Sequence, residues 1–62
     1  MRLITFMDDG LFAGDGVLTD EGRIEDCPSI KITENKDIIE QAIADGKSIV
    51  EIDGNQYTWI MY

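Results

Sequence analysis

The sequence contains no histidine and only one cysteine, Cys27, and both facts narrow the chemistry that it can perform. Histidine is the commonest general base and a frequent zinc ligand, so its absence removes Ser-His and Cys-His nucleophile pairs and the usual zinc sites. A single cysteine forms neither an intramolecular disulfide nor a multi-thiolate metal site, and it favours a reducing compartment. We therefore predict a cytoplasmic protein that is not an enzyme and that uses no metal or cofactor.

Long apolar runs and basic residues are also scarce. No apolar run approaches the roughly 20 residues that a membrane-spanning helix needs, and residues 1–10 turn acidic too soon for a secretory signal. Five Lys and Arg residues stand against thirteen Asp and Glu residues, which gives a net charge of −8. Because nucleic acids and anionic membranes would repel this charge, we expect that the chain binds neither of them directly. The charge favours a basic protein partner or divalent cations, unless it only keeps a small domain in solution.

Many of the acidic residues lie in a glycine-containing segment, 8–26. Ca²⁺ takes oxygen ligands from such loops, but Val17 and Thr19 follow Asp15 where the common Ca²⁺-binding loop has further oxygen ligands. The glycines of the segment do not form a phosphate-binding G-x-G-x-x-G motif. We therefore predict that the segment is an acidic surface for a partner protein, formed by Asp8, Asp9, Asp15, Asp20, Glu21, Glu25 and Asp26.

The second half of the sequence, 33–62, is typical of a helix that is followed by a β-hairpin. Thr33 or Asn35 can cap the start of the helix, and Gly46 stands where the helix should end. One apolar stripe runs along the helix, as expected for an element that packs on a sheet. The stripe consists of Ile38, Ile39, Ala42 and Ile43.

The hairpin has two strands, 48–53 and 56–62, and two candidate turns. An Asp-Gly turn at 53–54 would leave Ile52 opposite Asn55, whereas a Gly-Asn turn at 54–55 sets Ile52 opposite Tyr57. We favour the second turn, because it pairs two apolar side chains. With either turn the helix covers the same face of the hairpin, which carries Val50, Ile52, Tyr57, Trp59 and Met61.

Two stretches of the first half also predict strands. Residues 2–7 are apolar on both faces, which is typical of a central strand, and Ile4 and Phe6 point to one side of it. Residues 17–19 and 23–25 flank a turn that contains a glycine, so they predict a short hairpin.

Two further expectations concern apolar residues between these elements. We expect Leu11 and Phe12 to dock on the core as part of a loop. The alternation in 29–33 predicts another strand, with Ile30 and Ile32 directed inward. The sequence therefore predicts one α+β domain, 1–62. It is a small sheet of four to six short, mainly antiparallel strands with one helix packed on one face, in the order β-ββ-β-α-β-β.

One helix cannot cover both faces of such a sheet. An apolar strip of Ile49, Ile60 and Tyr62 would stay on the open face, where it favours a partner. Our first hypothesis is a small acidic protein-binding module that imitates nucleic-acid phosphates and binds a basic, nucleic-acid-handling protein. Stand-alone acidic chains of this size are frequent among phage and mobile-element inhibitors, and we expect this one, which begins with Met1, to be complete. The alternative is a self-associating structural or accessory protein, a homodimer through the uncovered face or the C-terminal strand.

Overall fold

The computed structural model describes all residues, 1–62, and contains a five-stranded antiparallel sheet with two short helices on one face. The order of strands in the sheet is β3-β2-β1-β5-β4. The predicted α+β class with a small antiparallel sheet is confirmed. The elements are β1 (Arg2–Asp8), β2 (Leu11–Leu18), β3 (Ile24–Glu25), α1 (Ile30–Glu34), α2 (Lys36–Ala44), β4 (Ile49–Ile52) and β5 (Asn55–Met61).

A single cluster of buried apolar side chains joins the sheet to the helices. In β1 the side chains of Ile4 and Phe6 are both fully buried, because alternate residues of a strand face the same side. The strand lies at the centre of the sheet, as its two-sided apolarity predicted. Every element of the fold contributes to the cluster, which consists of Ile4, Phe6, Leu18, Ile24, Ile32, Ile39, Ile52 and Tyr57.

The segment 29–33 does not form the predicted strand, because its residues begin helix α1. The Ser29 hydroxyl accepts a hydrogen bond from the Ile32 amide at 3.4 Å, and such a cap stabilises the first turn of a helix. Ile32 is fully buried, but Ile30 is 74% exposed, so only one of the two isoleucines faces inward. An Ile-Lys-Ile stretch is too short to distinguish the period of a strand from that of a helix.

Helix α2 begins after Asn35, one of the two predicted caps, but neither predicted side chain caps it. The Asn35 side-chain amide donates instead to the Lys31 carbonyl oxygen at 2.9 Å, at the end of α1. The Thr33 hydroxyl donates to the Cys27 carbonyl oxygen at 3.2 Å. Both side chains therefore hold α1 and the loop before it, and no side chain caps the start of α2.

The apolar stripe of α2 is largely confirmed. Ile39 and Ala42 are buried and Ile43 packs against the core, while Ile38 is 50% exposed at the edge of the stripe. Gly46 ends the helix as predicted, with a φ of +77° that suits glycine, and its amide donates to the Ile43 carbonyl oxygen. No helix of the structure combines the length and the apolarity that crossing a membrane requires.

The β4–β5 hairpin uses the Asp-Gly turn, so the favoured Gly-Asn register was wrong. Ile52 is paired with Asn55, and Val50 with Tyr57. Asp53 and Gly54 have φ angles of 52° and 82°, and a type I′ turn needs positive values at both positions. Asn55 gains a partner outside the hairpin, because its side-chain amide donates to Asp8 at 3.4 Å. The five side chains predicted on the covered face are all there.

The glycine-rich stretch after β1 forms strand β2 and not a loop. Leu11 and Phe12 belong to this strand and are 74% and 69% exposed, so the prediction that they dock on the core was wrong. A bulge at Ala13 shifts the pairing with β1, since Phe6 pairs with Gly14 but the next residue pairs with Phe12. Further along the chain, the predicted short hairpin between β2 and β3 is confirmed.

Two glycines of β2 allow the loop between β3 and α1 to pass close to the sheet. A Cβ atom at Gly14 would lie 3.0 Å from the Ser29 Cβ. At Gly16 it would lie 3.0 Å from the Cys27 Cβ and 3.1 Å from the Glu25 carbonyl oxygen. The loop that carries the cysteine thus rests directly on the strand backbone, and the thiol is half-buried there.

We predict that Gly16→Ala lowers the free energy of unfolding by about 1–3 kcal/mol, because the added methyl group overpacks this contact. Urea denaturation followed by Trp59 fluorescence measures the change. Cys27→Gly removes one of the crowding atoms, so Gly16→Ala should cost less in that background than in the wild type. An unchanged midpoint for Gly16→Ala alone would contradict the close approach.

Candidate protein-interaction surface

The sheet has one face that neither helix covers, and we call it the outer face. Its side chains come from alternate positions of the five strands, as the strand pairings define them. Most of these side chains are exposed or half-buried, and none belongs to the core cluster. The outer face consists of Leu3, Thr5, Met7, Phe12, Asp15, Val17, Glu25, Ile49, Glu51, Gln56, Thr58, Ile60 and Tyr62.

Seven of the thirteen outer side chains are apolar, and they include the predicted strip. Ile49, Ile60 and Tyr62 are 44%, 48% and 68% exposed. Leu3 extends the strip, since its carbonyl oxygen accepts the Tyr62 amide at 2.9 Å and its side chain is 63% exposed. Phe12 extends it on the other side, beyond Met7. We call this set, which is Leu3, Met7, Phe12, Val17, Ile49, Ile60 and Tyr62, the apolar centre.

Phe12 and Val17 belong to this surface although the sequence did not predict either of them there. Regular alternation from Asp15 would place Phe12 on the inner face of β2, and the bulge at Ala13 moves it to the outer face. The only available signal was its position five residues after the first strand-forming run, beyond a tight Asp9-Gly10 turn.

A shallow depression of about 340 Å³ lies within the outer face, beside the chain end. Asp15 lies at its wall, and its carboxylate accepts a hydrogen bond from the Thr5 hydroxyl at 2.6 Å. An apolar hollow therefore lies directly next to a fixed negative charge. The lining residues are Leu3, Ile4, Thr5, Asp15, Gly16 and Tyr62.

The charges on the outer face are all of one sign. Asp15, Glu25 and Glu51 lie on this face, and they are exposed. Glu25 stands on β3 and Glu51 on β4, which are the two edge strands of the sheet. No basic residue occupies an outer position, because the five cations lie on the inner side of β1, in turns and on the helices: Arg2, Arg23, Lys31, Lys36 and Lys47.

The seven acids that were predicted to form one surface do not lie together. Asp8 and Asp9 lie at the β1–β2 turn, whereas Asp20 and Glu21 lie at the β2–β3 turn. These turns are at opposite ends of β2, about 25 Å apart for an extended strand of this length. Asp15 and Glu25 lie between them on the outer face, and Asp26 follows β3 as an exposed residue.

Asp8 and Asp9 accept hydrogen bonds from β5, although neither pairs with a cation. The Asp8 carboxylate accepts hydrogen bonds from the Tyr57 hydroxyl at 3.2 Å and from the Asn55 amide at 3.4 Å. Asp9 accepts the Gln56 amide at 2.7 Å and donates its own amide to the Gln56 carbonyl oxygen at 2.8 Å. The first turn of the chain is thereby tied to β5.

Three other acids form ion pairs with cations. The α-ammonium group of Met1 hydrogen-bonds Asp20 and lowers the pKa of that carboxyl. Arg23 lies 3.2 Å from Glu40, which also accepts the Ile24 amide at 2.7 Å and so joins β3 to α2. Lys31 pairs with Asp53 at 2.5 Å. No three acidic or cysteine side chains are close enough together to hold a metal ion.

Comparisons with known proteins do not assign a function. The sequence matches no protein-family model, and neither a curated protein nor a solved structure is similar to it.

We predict that alkaline pH destabilises the fold through Tyr57. Burial, and then the hydrogen bond with Asp8, raises the pKa of Tyr57 above its ordinary value of 10.0. The folded state favours the neutral phenol. The contribution of Tyr57 to the free energy of unfolding is therefore complete below pH 10.0, and it is lost as the pH rises through the pKa that Tyr57 has in the folded state.

The measurement compares urea midpoints at about pH 8 and about pH 11 for the wild type and Tyr57→Phe. Tyr57→Phe removes the hydrogen bond to Asp8, so at the lower pH its free energy of unfolding should be about 1 kcal/mol below that of the wild type. Between the lower and the higher pH, however, the free energy of unfolding should fall less in the variant than in the wild type. Equal losses in the two proteins would contradict the prediction.

Proposed function

We propose that this chain is a non-enzymatic protein-binding module that engages a basic protein through its acidic surface. The supporting observation is an excess of unpaired carboxylates. Of thirteen acidic side chains, only Asp20, Glu40 and Asp53 lie within 4.0 Å of a cation. The remaining ten give the molecule a negative field that attracts a positively charged partner and accelerates encounter with it.

In its sharpest form the proposal makes the chain an inhibitor of a nucleic-acid-handling protein. Acidic residues occur at both ends of β2 and along it, over about 25 Å. This length is about that of seven base pairs, at 3.4 Å for each phosphate of a strand. Carboxylates distributed over such a length can meet the Lys and Arg side chains of a nucleic-acid groove, as an inhibitor from a phage or a mobile element would.

Self-association is the second candidate function, and the exposed apolar centre favours it. The C-terminal strand offers a contact as well, because β4 pairs only with residues 55–58 and the same edge of β5 is open at 59–61. A second copy could therefore use this edge or the outer face. Two copies that each carry a charge of −8 repel one another, so we place this candidate second.

The test is capture of heparin-binding proteins from a nuclease-treated lysate on the immobilised chain. We predict that the captured protein elutes between roughly 0.1 and 0.5 M salt, because screening weakens attraction between exposed charges. Duplex DNA should displace it from the chain. The control is a variant with Asp15→Asn, Glu25→Gln and Glu51→Gln, three carboxylates without an ion pair, which should retain less of the protein.

Retention that is unchanged at high salt would contradict the electrostatic mechanism. Equal retention by the carboxamide variant would contradict a role for these carboxylates. Capture of no basic protein at low salt would contradict the proposed function itself.

A further inference from the structure

We propose that the outer face of the sheet is the docking surface for one amphipathic, basic helix of the partner protein. This inference rests on the proposed function and assigns it a surface and a type of ligand. Three properties of the outer face carry it: its apolarity, its dimensions and the sign of its charges.

The outer face carries more apolar side chains than a sheet face in water normally does. Outward residues of such a sheet are typically polar, but seven of the thirteen here are apolar, among them Leu3 and Met7 on the central strand. Leu3, Phe12 and Tyr62 are each more than 60% exposed. Domains are built of packed layers, and here the sheet has a helical layer on one side only. A helix on the outer face would complete a three-layer arrangement.

The dimensions of the apolar centre suit a helix. From Leu3 to Met7 it extends about 13 Å along β1, and across the four strands from β2 to β4 it extends about 14 Å. A helix is about 10–12 Å wide with its side chains, and about nine residues of it cover 13 Å. The apolar centre is a face and not an edge, so it offers no free backbone groups to an added strand.

The charges specify the helix as basic. Glu25 and Glu51 lie on the two edge strands, beside the apolar centre, and Asp15 lies on β2 between Phe12 and Val17. A helix whose apolar stripe has Lys or Arg on both sides would place its ammonium or guanidinium groups against these carboxylates while their alkyl stems cover apolar surface. A second copy of this chain would bring the same three carboxylates and no cation, so we commit to the basic helix.

The test titrates the chain, with labelled isoleucine methyl groups, with a Leu/Lys peptide of about 18 residues that forms an amphipathic helix. A peptide of the same composition with a scrambled order is the first control. We expect shifts at the Ile49 and Ile60 methyl groups and not at Ile30 or Ile38, which are exposed on the helices. The scrambled peptide should bind more weakly.

Matched variants distinguish weaker binding caused by a change on the docking surface from weaker binding caused by a change in net charge. Ile60→Lys and Ile38→Lys each add one positive charge, at positions 48% and 50% exposed. Ile60→Lys should raise the Kd about tenfold or more, and Ile38→Lys less than about threefold. Leu3→Lys is a second variant on the outer face, and urea denaturation checks that each variant is folded.

Equal weakening by Ile60→Lys and Ile38→Lys would overturn the docking surface but leave the proposed function in place. Equal binding of the two peptides would overturn the requirement for an amphipathic helix. If neither peptide binds, the result would count against the proposed function as well. Sedimentation provides a further outcome, since a wild-type dimer that Ile60→Lys dissociates would show that a second copy occupies the face.

Discussion

One apolar cluster is the interaction on which all seven elements of this fold depend. Each element contributes at least one side chain to it, and β1 contributes both Ile4 and Phe6. Helices of five and nine residues are too short to be stable alone in water. They persist because Ile32 and Ile39 are fully buried against the sheet. Both helices of this 62-residue chain pack on the same cluster, so neither helix covers the other face of the sheet.

The parts of the fold that the sequence predicted are those set by local chemistry. The central strand, the α2 helix with its end at Gly46, and the covered side of β5 follow from period, propensity and turn residues close to each position. The errors arose where two short patterns compete. Both Asp-Gly and Gly-Asn fit a turn at 53–55, and the turn that forms leaves Ile52 opposite Asn55. In 29–33 the alternation of Ile30 and Ile32 resembles a strand, but Ser29 caps a helix there.

The candidate site was predictable to a similar extent. Alternation along β4 and β5 places Ile49, Ile60 and Tyr62 on the open face, and that part needs only the period of a strand. The acidic residues were grouped because they are close in sequence, yet an extended β2 carries its two ends far apart. Phe12 was misplaced because a bulge cannot be located from residue pattern alone.

The central pair of strands also determines when the domain can fold. β1 and β5 are neighbours, with Ile4 opposite Met61 and Phe6 opposite Trp59, although most of the chain separates them in sequence. During synthesis the β1–β2 hairpin leaves the ribosome long before β5, and until then one edge of β1 has unpaired backbone groups beside exposed apolar side chains. An isolated hairpin is marginally stable at best, so the core closes only once residues 55–61 are available. We therefore expect the core to close late, and a nascent chain held before that point to offer the open edge of β1 to other strands.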